Sequence, residues 1–280
     1  MESAGSFSRA ATSDWDGVIN ADDHCKALAE LTPCSAPTES ELLPPIGSQE
    51  VWAAGVTYFR SRDARIEESK DSGGGDFYAR VYAAQRPELF FKSAPYRVVG
   101  SGSKVRIRRD ATWNVPEPEL TLVIDRRGAI VGYTVGNDMS SRDIEGENPL
   151  YLPQAKTYDG SCALGPCVYL TQEPLSPDTE IRMNVRRERD LAFSAVTYIR
   201  NMKRSFAELV EYLYRETSFP HGCMLMTGTG IVPPNEFTLQ PGDEIEITIP
   251  PMGILRNVVA GSEPAGEAAE GFKPHANRTQ

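Results

Sequence analysis

Two glutamates, two positions apart, have a spacing that suggests metal chemistry. Glu117 and Glu119 stand in a short segment in which a proline precedes each of them. In an extended chain, alternate side chains point to the same side, so the two carboxylates are expected to converge. Like charges that close repel each other unless a cation lies between them. An isolated pair of this kind is also typical of an exposed strand face, but the prolines stiffen the backbone and favour a cation site.

A third carboxylate is expected to join the pair through a hairpin. From Leu120 the sequence runs apolar to Ile124, turns at residues 126–128, and returns through Ile130 to Asp138. A hairpin of this length can bring Asp138 beside the two glutamates. Three carboxylates without a nearby His or Cys form an all-oxygen site, which suits Mg²⁺ better than zinc or copper. The expected cofactor is therefore Mg²⁺, with Mn²⁺ or Ca²⁺ as alternatives.

Short strands are the elements expected to position these side chains. Runs of β-branched or alternating apolar residues, separated by turn signals, predict strands at residues 51–56, 97–99, 104–107, 120–124, 130–135, 167–170, 181–185, 225–227 and 244–249. A capping box from Ser205 to Glu208, followed by an apolar face, predicts one helix. A second helix, from about Tyr58 to Lys70, is expected to form a charged surface element or a cover. The pattern is that of a β-rich α+β domain.

The chain is predicted to have three parts. Residues 1–48 are polar and end near the Pro44-Pro45 pair, which indicates a small amino-terminal appendage. Residues 49–260 hold the predicted strands and the carboxylates, and form the expected catalytic domain. The segment 261–280 is rich in Gly, Ala, Glu and Pro and is predicted to be a disordered tail.

Composition excludes several classes of protein. A net charge of -10 argues against nucleic acid or an anionic membrane as a partner. The 5 cysteines lack CxxC spacing and the 3 histidines are scattered, so disulfide frameworks and His-rich zinc sites are not expected. The amino terminus does not resemble a signal peptide, and no apolar run approaches a membrane span. We therefore expect a cytoplasmic enzyme.

The segments around the carboxylates resemble the fumarylacetoacetate hydrolase family. Residues 117–120 match its ExE pattern, and residues 132–143 match its later G-Y-x-x-x-x-D-x-[ST]-x-R-D pattern. The resemblance covers about residues 50–255. It implies a mixed β-roll with peripheral helices, assembled as a homodimer or homotetramer. It also implies that Glu117, Glu119 and Asp138 hold the divalent metal.

The resemblance assigns further residues to a small 2-keto acid substrate. Lys156 matches the family's lysine beside the metal, where a cation would favour an oxyanion on the substrate. Lys156 is also one possible general base, and the alternatives are Glu88, Glu145 and Glu147. The sequence does not choose among them. The residues expected to contact the substrate are Lys92, Ser93, Arg142, Gln154 and Thr229.

Two segments outside the metal motif indicate the branch of the family. Residues 86–92 and 147–154 closely resemble the 2-keto-3-deoxy-D-arabinonate dehydratase branch. Residues 55–68 lack the histidine that the family's acylpyruvate hydrolases use to activate water. The predicted function is dehydration of a 2-keto-3-deoxypentonate, of arabinonate or xylonate type, to 2,5-dioxopentanoate. The alternatives are an acylpyruvate or fumarylacetoacetate-type C–C hydrolase, a 2-keto acid decarboxylase and, most remotely, a metal-stabilised binding protein.

Overall fold

The computed structural model describes residues 2–3, 6–28, 30–61, 80–171 and 173–261. Its strands in chain order are β1 (Glu2–Ser3), β2 (Ser6–Ala10), β3 (Leu31–Pro33), β4 (Glu50–Gly55), β5 (Glu88–Ser93), β6 (Val98–Val99), β7 (Lys104–Val105), β8 (Asn114–Val115), β9 (Pro118–Ile124), β10 (Ile130–Asp138), β11 (Ser140–Ser141), β12 (Cys162–Leu170), β13 (Glu180–Arg187), β14 (Asp190–Tyr198), β15 (Cys223–Met226), β16 (Glu244–Ile249) and β17 (Gly253–Val259). Among the described residues, the helices with defined bounds are α1 (Trp15–Ile19), α2 (His24–Ala27), α3 (Arg142–Glu147), α4 (Leu152–Lys156) and α5 (Phe206–Tyr214).

A seven-stranded mixed sheet forms the centre of the molecule, in the order β5-β4-β15-β9-β10-β12-β6. The β9–β10 hairpin is antiparallel, and β15 pairs antiparallel with β9 and parallel with β4. A five-stranded sheet, in the order β14-β13-β16-β17-β7, contributes to the same core. This architecture confirms the prediction of an α+β mixed β-roll with peripheral helices.

The central strand β9 is buried along its whole length because both faces of its sheet are covered. Leu120, Leu122 and Ile124 belong to the larger core, which the five-stranded sheet shares. Val123 points the other way, into a second core that also contains Ile19 of α1. Alternation along the strand therefore places Glu119 on the same face as Val123. The site lies at the end of the β9–β10 hairpin that contains Glu119.

The predicted helix that begins after Ser205 is α5. The Ser205 hydroxyl accepts a hydrogen bond from the backbone N–H of Glu208, and the helix buries Leu209, Val210 and Leu213. This face packs into the larger core. The capping box and the apolar period thus predicted both the start of the helix and its buried side.

Strand bounds were predicted less accurately where polar residues or proline interrupt the apolar pattern. The strand predicted at 167–170 is the end of β12, which begins at Cys162 and continues through Gly165-Pro166. Arg97, predicted as a strand residue, ends a short 3₁₀ turn instead. Strands β14 and β17 were not predicted, because β14 is a largely exposed edge strand and β17 carries Arg256 and Asn257 in its centre.

The amino-terminal segment makes specific contacts with the main body. The Asp16 carboxylate accepts hydrogen bonds from the Ser48 backbone and from the Gln49 side chain, and Ile19 is fully buried. The boundary at residue 48 stays a prediction. The predicted cover helix lies outside the described residues beyond Ser61, as does the predicted tail beyond Gly261. No helix in the described part of the chain is long and apolar enough to cross a membrane.

Candidate metal centre

The β9–β10 hairpin brings the three acidic residues together. Glu119 lies opposite Gly136 in the hairpin register. Two residues further along, the backbones of Glu117 and Asp138 exchange hydrogen bonds of 3.2 and 3.0 Å. Each of the three residues offers a carboxylate oxygen, and these oxygens lie within 4.8 Å of one another. All three side chains are buried, at 4%, 2% and 1% exposure for Glu117, Glu119 and Asp138.

Lys156 lies against two of these carboxylates. Its Nζ is 2.5 Å from Glu117 Oε2 and 3.0 Å from Asp138 Oδ2, and it donates a further hydrogen bond of 2.5 Å to Ser140 Oγ. The residue ends α4 and is 1% exposed. A buried ammonium with such partners is held in one position, because moving it would leave charges unpaired in a medium of low dielectric constant.

Two more cations complete the arrangement. Lys92 Nζ lies 2.5 Å from Asp138 Oδ1 and donates hydrogen bonds to the backbone carbonyls of Met139 and Lys156. Arg142 Nη2 lies 2.6 Å from Glu117 Oε1. From the sequence we expected Lys92, Arg142 and Lys156 near the substrate, and the structure brings all three side chains to the carboxylates.

Glu119 differs from its two neighbours in its contacts. Its Oε2 accepts a hydrogen bond of 2.5 Å from the backbone N–H of Gly228. Burial raises the pKa of Glu119 well above its usual value, and repulsion from Asp138 and Glu117 raises it further. Lys156 and the Gly228 N–H act in the opposite direction but do not outweigh these causes.

The donor set fits a hard divalent cation. The clustered ligand atoms are all carboxylate oxygens, as Mg²⁺, Mn²⁺ and Ca²⁺ prefer. Glu145 is also buried, with Oε1 3.2 Å from Lys156 Nζ. Among the described side chains in contact here, Lys92, Arg142 and Lys156 therefore face four carboxylates. The repulsion that acts on Glu119 is what a bound cation would relieve.

The glycine-rich loop at residues 227–230 joins the metal centre to the segment that follows β4. Gly228 has φ +88°, and a Cβ there would collide with Thr57 Oγ1. Thr57 in turn donates a hydrogen bond of 2.7 Å to the backbone carbonyl of Thr227. Only glycine therefore allows the loop to approach Thr57 while its N–H reaches Glu119.

The remaining residues that the sequence assigned to the substrate lie in different surroundings. Ser93 is buried, and its hydroxyl donates to the carbonyl of Ala94. Thr229 is buried in the 227–230 loop, where its hydroxyl is hydrogen-bonded to the backbone of Ile231. Gln154 is exposed on α4, although its carbonyl accepts a hydrogen bond from Arg108. Gln154 therefore has no described contact with the carboxylates.

The candidates for the general base differ in how deeply they are buried. Glu147 is the exposed last residue of α3, whereas Glu145 points inward to Lys156. Glu88 is half-buried at the start of β5, opposite Gly55. The structure thus brings Glu145, and not Glu147, to the metal centre. The helical period explains the difference, because residues two apart on a helix lie on different sides.

Sequence reasoning did not assign roles to two residues that the structure places here. Ser140 contacts Lys156 Nζ, and its position in the [ST] of the family pattern was a usable signal. Tyr58 follows β4 and is 1% exposed, and it lies near enough to Glu119 for that carboxylate to raise the pKa of its hydroxyl. From the sequence, the segment that contains it was treated as a cover helix that lacks a histidine, and neither observation identified Tyr58.

Comparisons with known proteins agree with this geometry. Residues 59–260 match the family described as fumarylacetoacetate (FAA) hydrolase, C-terminal. The chain is 49% identical over 216 residues to a probable 2-keto-3-deoxyxylonate dehydratase of Haloferax volcanii, covering 77% of this chain and 73% of that protein. It is 42% identical over 213 residues to the 2-dehydro-3-deoxy-D-arabinonate dehydratase of Saccharolobus solfataricus, covering 75% and 72%.

A solved structure extends the likeness to three dimensions. The fold superposes with a TM-score of 0.80 on 2-keto-3-deoxy-D-arabinonate dehydratase complexed with magnesium and 2,5-dioxopentanoate. The two sequences are 33% identical, and the match covers 93% of each chain. The similarity therefore includes the amino-terminal segment as well as the carboxylate hairpin.

Proposed function

The chain belongs to the fumarylacetoacetate hydrolase family, and on that basis we propose that it is a hydro-lyase acting on a 2-keto-3-deoxypentonate. The products would be 2,5-dioxopentanoate and water. The observation that carries this proposal is the similarity, over 93% of the chain, to a dehydratase that holds magnesium and 2,5-dioxopentanoate. The cluster of buried carboxylates and cations described above is consistent with the same chemistry.

Three side chains would hold the metal: Glu117, Glu119 and Asp138. When bound, Mg²⁺ supplies a Lewis acid that polarises substrate oxygens and makes a neighbouring C–H more acidic. The protein keeps the ligands in place through the hairpin backbone and through the cations that contact their free oxygens. These contacts orient the ligands before any cation arrives, which lowers the reorganisation that binding requires.

Lys156 is proposed to stabilise charge on the substrate. Removal of a proton from C3 places negative charge on the 2-keto oxygen, and a fixed ammonium close to that oxygen lowers the free energy of the transition state. Ser140, Glu117 and Asp138 all contact Nζ and hold it in place. A donor whose position is already fixed needs little reorganisation free energy when the charge develops.

Glu145 is proposed to accept the C3 proton. It is a buried carboxylate whose Oε1 lies 3.2 Å from Lys156 Nζ, so a base and an oxyanion donor stand side by side. Loss of the C3 proton and departure of the C4 hydroxyl as water leave an unsaturated keto acid. A shift of one proton from C5 to C3 gives the C4–C5 enol, and transfer of the enol hydroxyl proton to C4 then gives 2,5-dioxopentanoate. Lys156, Glu88 and Glu147 are the other candidates for this base.

A substrate panel with Mg²⁺ tests the reaction class. With a 2-keto-3-deoxypentonate, the protein is expected to release 2,5-dioxopentanoate, measured by coupling to an aldehyde dehydrogenase. In deuterated water the product should carry solvent deuterium, because a carbon-bound proton is replaced. Acylpyruvates should yield little pyruvate, since residues 55–68 contain no histidine to activate water. Rapid pyruvate formation without dehydration of any deoxy sugar acid would instead identify a hydrolase.

Assembly and location remain predictions that belong to this proposal. The family resemblance predicts a homodimer or homotetramer, which light scattering at several protein concentrations would test. The composition predicts a cytoplasmic location, which fractionation of the source cells would test.

A further inference from the structure

The hydroxyl of Tyr58 is a buried polar group without a hydrogen-bond partner among the described residues. The residue is 1% exposed. A buried hydroxyl without a partner is costly, because it loses its hydrogen bonds to water and gains none in return. Such a group in a functional region is explained when a ligand supplies the missing partner.

The backbone of Tyr58 is held in place from both sides. Its carbonyl accepts a hydrogen bond of 2.8 Å from Ser61 Oγ, and its N–H donates one of 3.2 Å to the same hydroxyl. It also forms an isolated β-bridge with Met202. The absence of a partner for the side-chain hydroxyl therefore does not reflect a loosely held residue.

The ring of Tyr58 is packed as closely as its backbone. A Cβ at Gly230 would lie 2.6 Å from Tyr58 Cδ1, so only glycine at position 230 leaves room for the ring. The ring thus occupies space that the 227–230 loop leaves open. The same loop reaches Glu119 through the N–H of Gly228.

Tyr58 lies near the Glu119 carboxylate and also lines a cavity. Burial raises the pKa of Tyr58, and the nearby Glu119 carboxylate raises it further. A tyrosine hydroxyl is protonated at neutral pH and can therefore act as a donor. Tyr58 also lines a cavity of about 630 Å³, together with Thr197, Asn201 and Gly230. A ligand bound at the carboxylates that extends toward this cavity would come close to Tyr58, which borders both.

We propose that Tyr58 Oη–H is a substrate-binding group that donates a hydrogen bond to the hydroxylated end of the sugar acid. This inference rests on the proposed function, which places the keto-acid end at the metal centre. The donor would select for substrates with an oxygen at that end, because a ligand without one leaves the buried hydroxyl unpaired. Tyr58 thus supplies a specificity element that the metal ligands, which bind any 2-keto acid, do not provide.

The test compares Tyr58→Phe with the wild type on two ligands in the presence of Mg²⁺. For the 2-keto-3-deoxypentonate, kcat/KM should fall by about 3- to 10-fold, the usual effect of losing one neutral hydrogen bond. For 2-oxobutanoate, a keto acid without hydroxyls, the inhibition constant should not change. An unchanged kcat/KM, or an equal loss for both ligands, would overturn the proposal.

Thermal stability provides a second test, because a structural role and a substrate-binding role for the hydroxyl predict different unfolding temperatures. Tyr58→Phe should unfold at the same temperature as the wild type or higher, because it removes a hydroxyl that has no partner. The control is Tyr214→Phe, since Tyr214 Oη donates a hydrogen bond of 2.9 Å to the Asp125 carbonyl. The control should lose stability and keep the wild-type kinetics. Destabilisation of Tyr58→Phe with normal kinetics would mean that the hydroxyl is structural.

The same measurements separate the two proposals. If the wild type dehydrates the sugar acid and Tyr58→Phe matches it, only the role of Tyr58 fails. If the wild type is inactive on every 2-keto-3-deoxy acid, the proposed function fails, and with it the ligand assigned to Tyr58.

Discussion

The backbone N–H of Gly228 donates a hydrogen bond of 2.5 Å to Glu119 Oε2. This bond joins the loop after β15 to the first strand of the carboxylate hairpin. The Glu119 carboxylate is thus held by a backbone N–H, whereas Glu117 and Asp138 are contacted by cationic side chains. The metal centre therefore has two sides, one held by cations and one held by a neutral backbone donor.

Replacing Glu119 should affect metal binding and the stability of the metal-free protein in different ways. Glu119→Gln should weaken Mg²⁺ binding by more than about 100-fold, because loss of outer partners alone costs roughly 10- to 100-fold in other metal sites. The metal-free variant should be at least as stable as the wild type, since it removes one of three buried carboxylates within 4.8 Å of one another. Calorimetric titration and thermal melts with and without Mg²⁺ measure both effects.

The exposed Glu211 offers a matched control for that experiment. It pairs with Arg215 on the surface, and Glu211→Gln should leave Mg²⁺ binding unchanged. Wild-type Mg²⁺ affinity in Glu119→Gln would remove Glu119 from the ligand set.

Loss of the Lys156 ammonium should lower kcat more than it weakens Mg²⁺ binding. Lys156→Met is expected to lower kcat by about 10² to 10³, as the loss of one oxyanion donor does in other enzymes. Mg²⁺ binding should persist, because Glu117, Glu119 and Asp138 are unchanged. Steady-state kinetics and titration test this pair of outcomes. The exposed Lys104, replaced by Met, is the control, and near-normal turnover of Lys156→Met would contradict the assignment.

Substitutions of two glutamates in α3 can show which residue is the general base. Glu145→Gln should lower kcat by about 10² or more, in the range that general bases contribute. Glu147→Gln should have a smaller effect, because its side chain is exposed at the end of α3. Exchange of the C3 proton with solvent, followed by NMR, reports on the same step directly. A larger loss at Glu147 than at Glu145 would reverse the assignment.

Asp125, in the turn of the β9–β10 hairpin, should make the stability of the protein depend on pH in the acid range. Burial raises the pKa of Asp125, but hydrogen bonds from Ala129 and Arg127 outweigh it and leave the pKa below its usual value. The folded state therefore binds this proton less readily than the unfolded state, in which the pKa is about 3.9. The stabilisation is present above that value and is lost as pH falls through the lower folded pKa.

Asp125→Asn tests this dependence. The variant should lose about 1.5 to 3 kcal/mol at neutral pH, since its hydrogen bonds are no longer charge-assisted, and less in strong acid. Denaturant unfolding between about pH 2 and 7 measures the difference. The exposed Asp190, replaced by Asn, is the control. A stability difference that stays constant over this range would contradict the role given to Asp125.

Local patterns predicted much of the fold. The capping box at Ser205 and the apolar period after it predicted α5, and alternating apolar runs predicted most strands of the two large sheets. Strand β17 was missed because its buried polar residue, Asn257, does not fit an apolar alternation. The Asn257 side chain is instead satisfied by the carbonyls of Gly100 and Ser103. That compensation comes from a distant segment, so the strand's own sequence does not reveal it.

The sequence by itself predicted which carboxylates converge, because Glu117, Glu119 and Asp138 belong to one hairpin whose register follows from local spacing. Only the tertiary structure decided which other groups meet them. The inward position of Glu145, the contact of Lys92 with Asp138, and the unpaired hydroxyl of Tyr58 arise where separate segments pack together. Such contacts depend on how the sheets, the short helices and the 227–230 loop are arranged. Periodicity within a single segment carries no information about that arrangement.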